Sequence, residues 1–415
     1  HIFIFVSKLG HAAMKPLLIN DPIYGFIAIK SPLIARLINH PFFQRLRRIS
    51  QMGLSVFVFP GAHHNRLEHA LGCLHLAQKA VTALREKGEE ISEAESEALQ
   101  IALLFHDIGH GPFSHAIEKA LLPGIAHEQI SEVLIEQINI EMDGALTMAL
   151  AIFNNSYKRP FFHQLLVGQV DLDRLDYLKR DSFYTGAMEG NINSSRLISM
   201  MRVVDNQLVF DEKANYSLEK FLLARRLMYW QVYLHKTSLV SELILVKILH
   251  HARKVLAEGK PLKGSAALRA LLSQGDAPLA IERVDWATFL ALDDSDVWYS
   301  LKQWQEAPDF ILSDLSQRII KRNLFKVQVQ DHPFEASAVT RLQEHWAKHY
   351  KSEEIAQAYV FTGHVSNQTY SSNKHPLLLQ SASNETLPIH QHPSFSALMK
   401  YTNSQTLYYL CSPKG

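Results

Sequence analysis

The chain has 415 residues, of which 47% are hydrophobic and 20% charged. This composition is typical of a globular protein large enough to bury a core without disulfides. Its 42 Lys and Arg balance 41 Asp and Glu, which argues against nucleic acid as the main partner. Two cysteines exclude a disulfide scaffold and a cysteine-rich zinc module. No apolar run approaches the ~18 residues of a membrane span, so no membrane partner is predicted.

The first residues differ from the rest in their pattern. The chain begins with His1, and an apolar stretch over residues 2–6 lacks the charged region and cleavage site of a secretory signal. We interpret residues 1–13 as a leader or an expression remnant, with a natural start near Met14. The absence of a signal and of cysteine pairing predicts a cytoplasmic protein.

The region from about residue 32 to residue 256 has a helical pattern. Leucines from Leu67 to Leu84 recur at three- and four-residue steps, which predicts one long helix. Ser92 and Glu95 form a capping-box pattern that opens the next helix, and Gly109 ends it. Further helices are predicted over residues 164–180 and 218–256.

The pattern changes after a linker at residues 259–264. Helices are expected to about residue 323, followed by strands at 325–329, 358–361 and 406–410 and a loop at 366–384. The predicted fold is therefore mainly α. It consists of a helical bundle over residues 14–258 and a smaller mixed α/β module over 259–415 that serves assembly or regulation.

Four residues form a candidate metal site: His69, the adjacent pair His106 and Asp107, and Asp173. The chain has 22 histidines, and eight fall between His63 and His127, a clustering that indicates metal or proton chemistry. Two imidazoles with two carboxylates suit one divalent ion of Fe, Mn, Ni, Zn or Mg, with positions left open for water and substrate oxygen.

Three more histidines lie close to this set in the sequence: His110, His115 and His127. His115 precedes Glu118 by three residues, so a helix would place the carboxylate beside the imidazole and raise its basicity. Such groups supply the acid–base chemistry that a phosphate leaving group requires.

A set of basic and aromatic residues follows downstream. Asp173, Asp176, Tyr177 and Arg180 share one side of a predicted helix, and Arg225, Tyr233, His235 and Lys236 fall on the next. Cations beside a metal point to a polyanionic substrate, and either tyrosine can contact a base or a sugar.

Several motifs resemble one family, the HD-domain phosphohydrolases, and most closely its dNTP triphosphohydrolase branch. The motifs are RLEHALG at 66–72, HDIGHGPFSH at 106–115, HEQ at 127–129, NDPIYG at 20–25, FQRLR at 43–47, FPGA at 59–62, DRLDY at 173–177 and RNLFK at 322–326. The resemblance covers about residues 20–326. It implies a helical HD-domain bundle over residues 14–258.

The resemblance also implies roles for individual residues. It makes His69, His106, Asp107 and Asp173 the metal ligands, and His110, His115, His127 and Glu118 the catalytic cluster, although the family carries Asp where Glu118 stands. It implies that the substrate triphosphate and sugar contact Gln51, Arg66, Arg174, Tyr177 and Arg225, to which the residue pattern adds Arg180 and Tyr233. Arg174 replaces a family Lys.

The same resemblance implies a homodimer or homotetramer with a regulatory nucleotide at a subunit interface. The residues that match that site are Asn20, Gln44, Arg47, Arg322 and Lys326. Asn39 replaces the family Asp that reads guanine, and Leu17 replaces a Lys.

The sequence thus predicts a metal-dependent phosphohydrolase that converts dNTPs to deoxynucleoside and tripolyphosphate. Two alternatives stay open at this point. One is a phosphodiesterase or phosphatase acting on another nucleotide. The other is a nucleotide-sensing protein with a vestigial site, although the four intact ligands argue against it.

Overall fold

The computed structural model describes residues 16–113, 115–274, 280–367, 370, 376–392, 395 and 404–414. The predicted leader at residues 1–13 lies outside these residues. The side chain of His115 also lies outside the described part, although its backbone begins a helix.

The described residues are mainly α-helical, as predicted. The helices are α1 (Pro32–Ile38), α2 (Pro41–Arg45), α3 (Arg66–Glu86), α4 (Glu93–Phe105), α5 (His115–Leu121), α6 (His127–Glu141), α7 (Thr147–Phe153), α8 (Phe161–Leu166), α9 (Leu172–Thr185), α10 (Ser194–Ser199), α11 (Asn215–Met228), α12 (Lys236–Ala257), α13 (Ala266–Leu272), α14 (Trp286–Ala291), α15 (Asp294–Trp304), α16 (Phe310–Ile320), α17 (Ala336–Tyr350) and α18 (Glu353–Tyr359).

The strands form three small sheets. They are β1 (Leu17–Asp21), β2 (Gly25–Ile29), β3 (Met201–Val204), β4 (Gln207–Asp211), β5 (Lys326–Gln330), β6 (Phe361–Asn367), β7 (Leu378–Gln380), β8 (Thr386–Pro388) and β9 (Gln405–Ser412). The hairpin β1–β2 forms a two-stranded sheet of its own. The second sheet has the strand order β3, β4, β7, β8, and in the third sheet β9 lies between β5 and β6. Among the described residues no helix has the length and apolarity to cross a membrane.

The helix α4 begins as the sequence predicts. Ser92 and Glu95 form a complete capping box at the start of α4, which satisfies amide groups that a helix otherwise leaves unpaired. Asn65 and Glu68 form another at the start of α3. The leucine face of α3 is buried against α4, so these two helices make a firm support for the residues at their ends.

Four predicted elements differ from the structure. The predicted loop at residues 366–384 contains the strand β7. Residues 164–180 are not one helix, because Asp171 caps a new one by accepting from the Arg174 amide at 2.8 Å. The span 218–256 breaks at a π-turn over 229–233, and His235 caps α12. The predicted strand at 358–361 is wrong, since α18 runs to Tyr359 and β6 begins at Phe361. β5 and β9 lie where strands were predicted.

The buried core continues past residue 258. The Arg45 Nε atom donates to the Leu292 carbonyl at 3.0 Å, and the Ser50 amide donates to the Asp294 carboxylate at 2.9 Å. Arg48 pairs with Asp293. Helices α13–α16 therefore pack on the bundle, while β5, β6, β9, α17 and α18 form the mixed α/β part. The domain division at residue 258 stays a prediction.

Candidate metal centre and active site

The metal candidates come together where three helices meet. His69 lies in the first turn of α3, Asp173 lies in the first turn of α9, and His106 and Asp107 follow directly after α4. Gly109 permits this turn to pack tightly on α6, since a Cβ atom there would lie 2.3 Å from the His127 carbonyl oxygen. The Ser131 hydroxyl of α6 accepts from the Gly109 amide and donates to the His106 carbonyl, which fixes the turn.

Three of the predicted ligands, His69, His106 and Asp173, lie together with Cys73 in one group of potential ligand atoms, and Asp107 lies beside both imidazoles while also grouping with His110 and His127. The His69 Nε2 atom lies 3.1 Å from Asp173 Oδ1 and 3.8 Å from Asp107 Oδ2. The His106 Nε2 atom lies 3.4 Å from an oxygen of each carboxylate. Ligand atoms of one ion are separated by distances of this order when each lies ~2.0–2.2 Å from it.

The tautomers of both imidazoles favour a metal. The His106 Nδ1 atom donates to the Leu103 carbonyl at 2.7 Å, and His69 Nδ1 contacts Asp176 Oδ2 at 2.7 Å. Each hydrogen bond occupies Nδ1, so Nε2 is the ring nitrogen that faces the site and could bind a metal. The buried His106 Nε2 atom has no hydrogen-bond partner among the described residues. The residues present therefore fit a divalent cation.

The electrostatics of the cluster agree with this assignment. Burial opposes ionisation of Asp173, but His106 and His69 more than offset it and hold the pKa of that carboxyl below its ordinary value. Burial likewise disfavours a charged His106, yet Asp107 and Asp173 raise its pKa. Carboxylates that stay ionised beside two imidazoles can bind a cation by displacing protons from those imidazoles.

The candidate acid–base residues form a second cluster beside the first. The rings of His110 and His127 stack with centroids 3.7 Å apart. Glu118 Oε1 lies 3.1 Å from His127 Nδ1 and 3.4 Å from His110 Nδ1, and His110 Nε2 lies 3.4 Å from Asp107 Oδ1. The sequence placed Glu118 beside His115, whose side chain is not described. The described partners of Glu118 are His127 and His110.

The two stacked histidines have opposite pKa shifts. Burial, together with the nearby Arg66, lowers the pKa of His110. Burial also acts against the charged form of His127, but the contact with Glu118 outweighs it and raises the pKa of His127. Environments that separate two pKa values in this way are typical of an acid and a base that work together.

The predicted substrate residues fall into three groups. Arg66 is buried and donates to Asp107. Arg225 is 8% exposed, and its Nε and Nη1 atoms have no partner among the described residues. Arg174 is already paired with Asp171, the residue that caps its helix. The buried Arg225 cation thus has unmet hydrogen-bonding capacity among the described residues, and it acts electrostatically on Tyr177.

The uncharged candidates lie at the same end of the bundle. The Tyr177 ring lies 6.5 Å from the His69 ring and 6.0 Å from the Tyr233 ring. The Tyr233 hydroxyl donates to Asp181 at 2.7 Å. The Gln51 amide donates to the His64 carbonyl just before α3, and its side-chain Oε1 atom is buried without a partner among the described residues.

Arg180 is not with this group. It is fully buried, and its guanidinium donates to Asp176 and to Asp21 on strand β1. The prediction that Arg180 binds substrate therefore needs correction, because both sides of the guanidinium are occupied by carboxylates. The contact of Asp176 with His69 was not predicted from the sequence. Its position three residues after Asp173, on the same helix face, is the signal that was available.

Four of the five predicted regulatory residues form two pairs. Arg47 Nε donates to Gln44 Oε1 at 2.7 Å near the start of the bundle. Arg322 and Lys326 line a cavity of about 230 Å³ together with Lys236 and Lys414, two cations that the sequence analysis did not place there. Asn20 lies on β1. The described hydrogen bonds and ion pairs do not join the two pairs.

An α-helical bundle that gathers two histidines and two aspartates beside an acid–base cluster defines a metal-binding hydrolase. Comparison with known proteins identifies the family of this hydrolase. The family model described as HD domain matches residues 66–181, and the model described as HD associated region matches residues 192–263.

Individual relatives agree with these matches. The uncharacterized protein YwfO of Bacillus subtilis (strain 168) is 33% identical over 314 residues, which cover 74% of this chain and 70% of YwfO. The human deoxynucleoside triphosphate triphosphohydrolase SAMHD1 is 34% identical over 271 residues, which cover 55% of this chain and 43% of SAMHD1. The match thus spans less than half of the human protein.

A solved structure is similar over almost the whole chain. The phosphohydrolase from Bacteroides thetaiotaomicron VPI-5482 superposes with a TM-score of 0.92 at 41% identity, covering 96% of this chain and 100% of that one. The chain belongs to the HD-domain phosphohydrolases.

Proposed function

We propose that this chain hydrolyses deoxynucleoside triphosphates to deoxynucleoside and tripolyphosphate, through attack of water on the α-phosphorus. The observation that carries the proposal is the His/Asp metal site beside a His/Glu acid–base cluster, which Asp107 joins through its contact with His110. The buried cation Arg225 acts electrostatically on Tyr177, whose ring lies 6.5 Å from the His69 ring. The name of human SAMHD1 supports the choice of substrate.

The charge of the substrate explains the cations. A triphosphate brings about four negative charges, which phosphoryl-transfer sites neutralise with a metal and fixed cations. Arg225 has donors without a partner among the described residues, and Arg66 donates to Asp107, one of the proposed metal ligands. Tyr177 offers a ring and a hydroxyl to the nucleoside part, while Tyr233 is held by Asp181.

The protein residues supply the proton transfers. A divalent ion held by His69, His106, Asp107 and Asp173 would polarise a phosphate oxygen and activate a water molecule. His110, whose pKa is lowered, is suited to accept a proton. His127, whose pKa Glu118 raises, is suited to hold one. His115 stays the predicted acid for the 5′-oxygen of the nucleoside, which is a poor leaving group.

Assembly and regulation complete the proposal. We infer a homodimer or homotetramer that carries a regulatory nucleotide. The cavity lined by Lys236, Arg322, Lys326 and Lys414 supports an anionic ligand at the Arg322 pair. Light scattering of the protein with and without added nucleotide tests this part separately from catalysis.

The experiment that tests the activity is a substrate panel on protein purified anaerobically and supplied with Mn²⁺ or Fe²⁺. The panel contains the four dNTPs, the four NTPs, nucleoside monophosphates and cyclic nucleotides, with products separated by chromatography. Tripolyphosphate with deoxynucleoside supports the proposal. Release of inorganic phosphate from monophosphates, or opening of cyclic nucleotides, would instead support the phosphatase or phosphodiesterase alternative. A metal-loaded protein inactive on every member would support the nucleotide-sensing alternative.

A further inference from the structure

We propose that the hairpin β1–β2 sets the orientation and the basicity of the metal ligand His69 through three buried side chains, Asp21, Arg180 and Asp176. We call these three residues the hairpin relay. The inference rests on the metal site of the proposed function but not on the choice of substrate.

The relay is a continuous set of hydrogen bonds. His69 Nδ1 contacts Asp176 Oδ2 at 2.7 Å. Arg180 donates to Asp176 with Nε at 2.9 Å and with Nη2 at 3.0 Å, and donates to Asp21 Oδ2 with Nη1 at 2.9 Å. Asp176 and Arg180 are fully buried, and Asp21 is 5% exposed. Solvent screening is therefore weak along the whole set.

The packing leaves the relay little room to shift. A Cβ atom on Gly72 would lie 1.9 Å from Asp176 Oδ1 and 2.4 Å from Arg180 Nη2. Glycine at this position therefore lets the ion pair lie directly against α3, one turn beyond His69. A displacement of the pair would be transmitted to the ligand because the two elements touch without a gap.

The other end of the relay is fixed by the hairpin. Asp21 Oδ1 accepts from the amides of Ile23 and Tyr24 at 2.8 and 2.9 Å, so the turn between β1 and β2 holds the carboxylate in place. Its second oxygen is the one that meets Arg180. The position of Asp21, and through it that of Arg180, thus depends on the conformation of the hairpin.

The charges define the direction of the effect. One cation, Arg180, is shared between two carboxylates. If Asp21 lost its charge, Arg180 would interact with Asp176 alone and withdraw electron density from the Asp176–His69 contact. A less basic outer carboxylate makes a weaker metal ligand of the imidazole. Asn20, the predicted regulatory contact, adjoins Asp21 on β1, so a ligand there would act on the metal centre through the relay.

The test is the substitution Asp21→Asn. The amide oxygen of Asn can keep both hydrogen bonds of the turn, while its NH₂ group would face the Arg180 donor and break the relay. Asp211→Asn is the matched control, because Asp211 also ends a hairpin strand and pairs with the cations Lys87 and Arg202. Metal affinity is measured with Mn²⁺ and Co²⁺ by chelator competition, without nucleotide, together with the visible absorption spectrum of the Co²⁺ protein.

The expected result is a weaker and altered metal site. Direct outer partners of a ligand typically change metal affinity by ~10–100-fold, so Asp176→Asn should fall in that range and Asp21→Asn should cost roughly threefold or more. The Co²⁺ spectrum should change in both variants and stay unchanged in Asp211→Asn.

A second variant, Arg180→Lys, tests the proposal if Asp21→Asn does not fold. Arg180→Lys keeps the charge but cannot donate to both carboxylates through a planar fork, and the same weakening is expected. Wild-type affinity and an unchanged Co²⁺ spectrum in whichever variant folds would overturn the proposal. Because no nucleotide is present, this outcome is distinct from a failure of the substrate assay.

Discussion

Replacement of Arg225 by methionine should make the protein more stable and less active at the same time. Arg225 is buried on α11, and two of its nitrogen atoms have no hydrogen-bond partner among the described residues. A buried guanidinium without hydrogen-bond partners lowers the stability of the protein when no substrate is bound. Arg225 is useful in spite of this cost if the missing partner is the substrate phosphate.

The size of both effects follows from the geometry. A buried polar group without a partner costs ~1–3 kcal/mol, so removal of the guanidinium should raise the free energy of unfolding by about that amount. With substrate, the variant loses a charge-assisted hydrogen bond of ~1.5–3 kcal/mol. That loss corresponds to a decrease in kcat/KM of roughly 10–150-fold.

The measurements are urea unfolding in a buffer free of phosphate and steady-state kinetics with a dNTP. Arg226→Met is the matched control. Arg226 is the next residue on the same helix, and it donates to Gln405 Oε1 at 3.2 Å on strand β9. This control should leave kcat/KM near the wild-type value and should not raise the unfolding midpoint.

Two results would refute the reasoning about Arg225. One is a variant that is less stable than wild type, which would mean that the guanidinium stabilises the free fold. The other is an unchanged kcat/KM, which would mean that Arg225 does not contact the substrate.

Three further predictions concern the metal and the proton transfers. His106→Ala should lose both bound metal and activity, since it removes one of the four proposed ligands; metal analysis and turnover on one sample check this. His115→Ala should lower turnover by ~10²–10⁴-fold while metal content stays at the wild-type level. Glu118→Gln should shift the alkaline limb of the pH–rate profile to lower pH, because His127 must hold a proton and Glu118 raises its pKa. An alkaline limb that does not move would show that activity does not depend on protonated His127.

The sequence predicts the helices where local signals and packing agree. The leucine spacing of α3 and the capping box of α4 are local signals, and both helices form as predicted. The predicted strand at 358–361 failed because tertiary contacts decide that segment. Tyr359 is fully buried, donates to Asp314 and packs on Phe325 at a ring distance of 5.2 Å. None of these partners is near it in the sequence.

In the site, too, some residues can be predicted from the sequence and others only from the fold. His69, His106, Asp107 and Asp173 are found from residue type and spacing, and the structure brings them together. The function of Arg180 could not be found in that way. Its spacing from Asp173 places it on the same helix, but its partner Asp21 lies 159 residues earlier in the chain. Only the fold shows that this cation faces two carboxylates.

The most direct test of the proposed activity is hydrolysis of dGTP in ¹⁸O-labelled water, with mass spectrometry of both products. Attack on the α-phosphorus with loss of the 5′-oxygen predicts unlabelled deoxyguanosine and tripolyphosphate that carries one ¹⁸O atom. Deoxyguanosine monophosphate with pyrophosphate, label in the nucleoside, or no turnover by the metal-loaded protein would contradict the account.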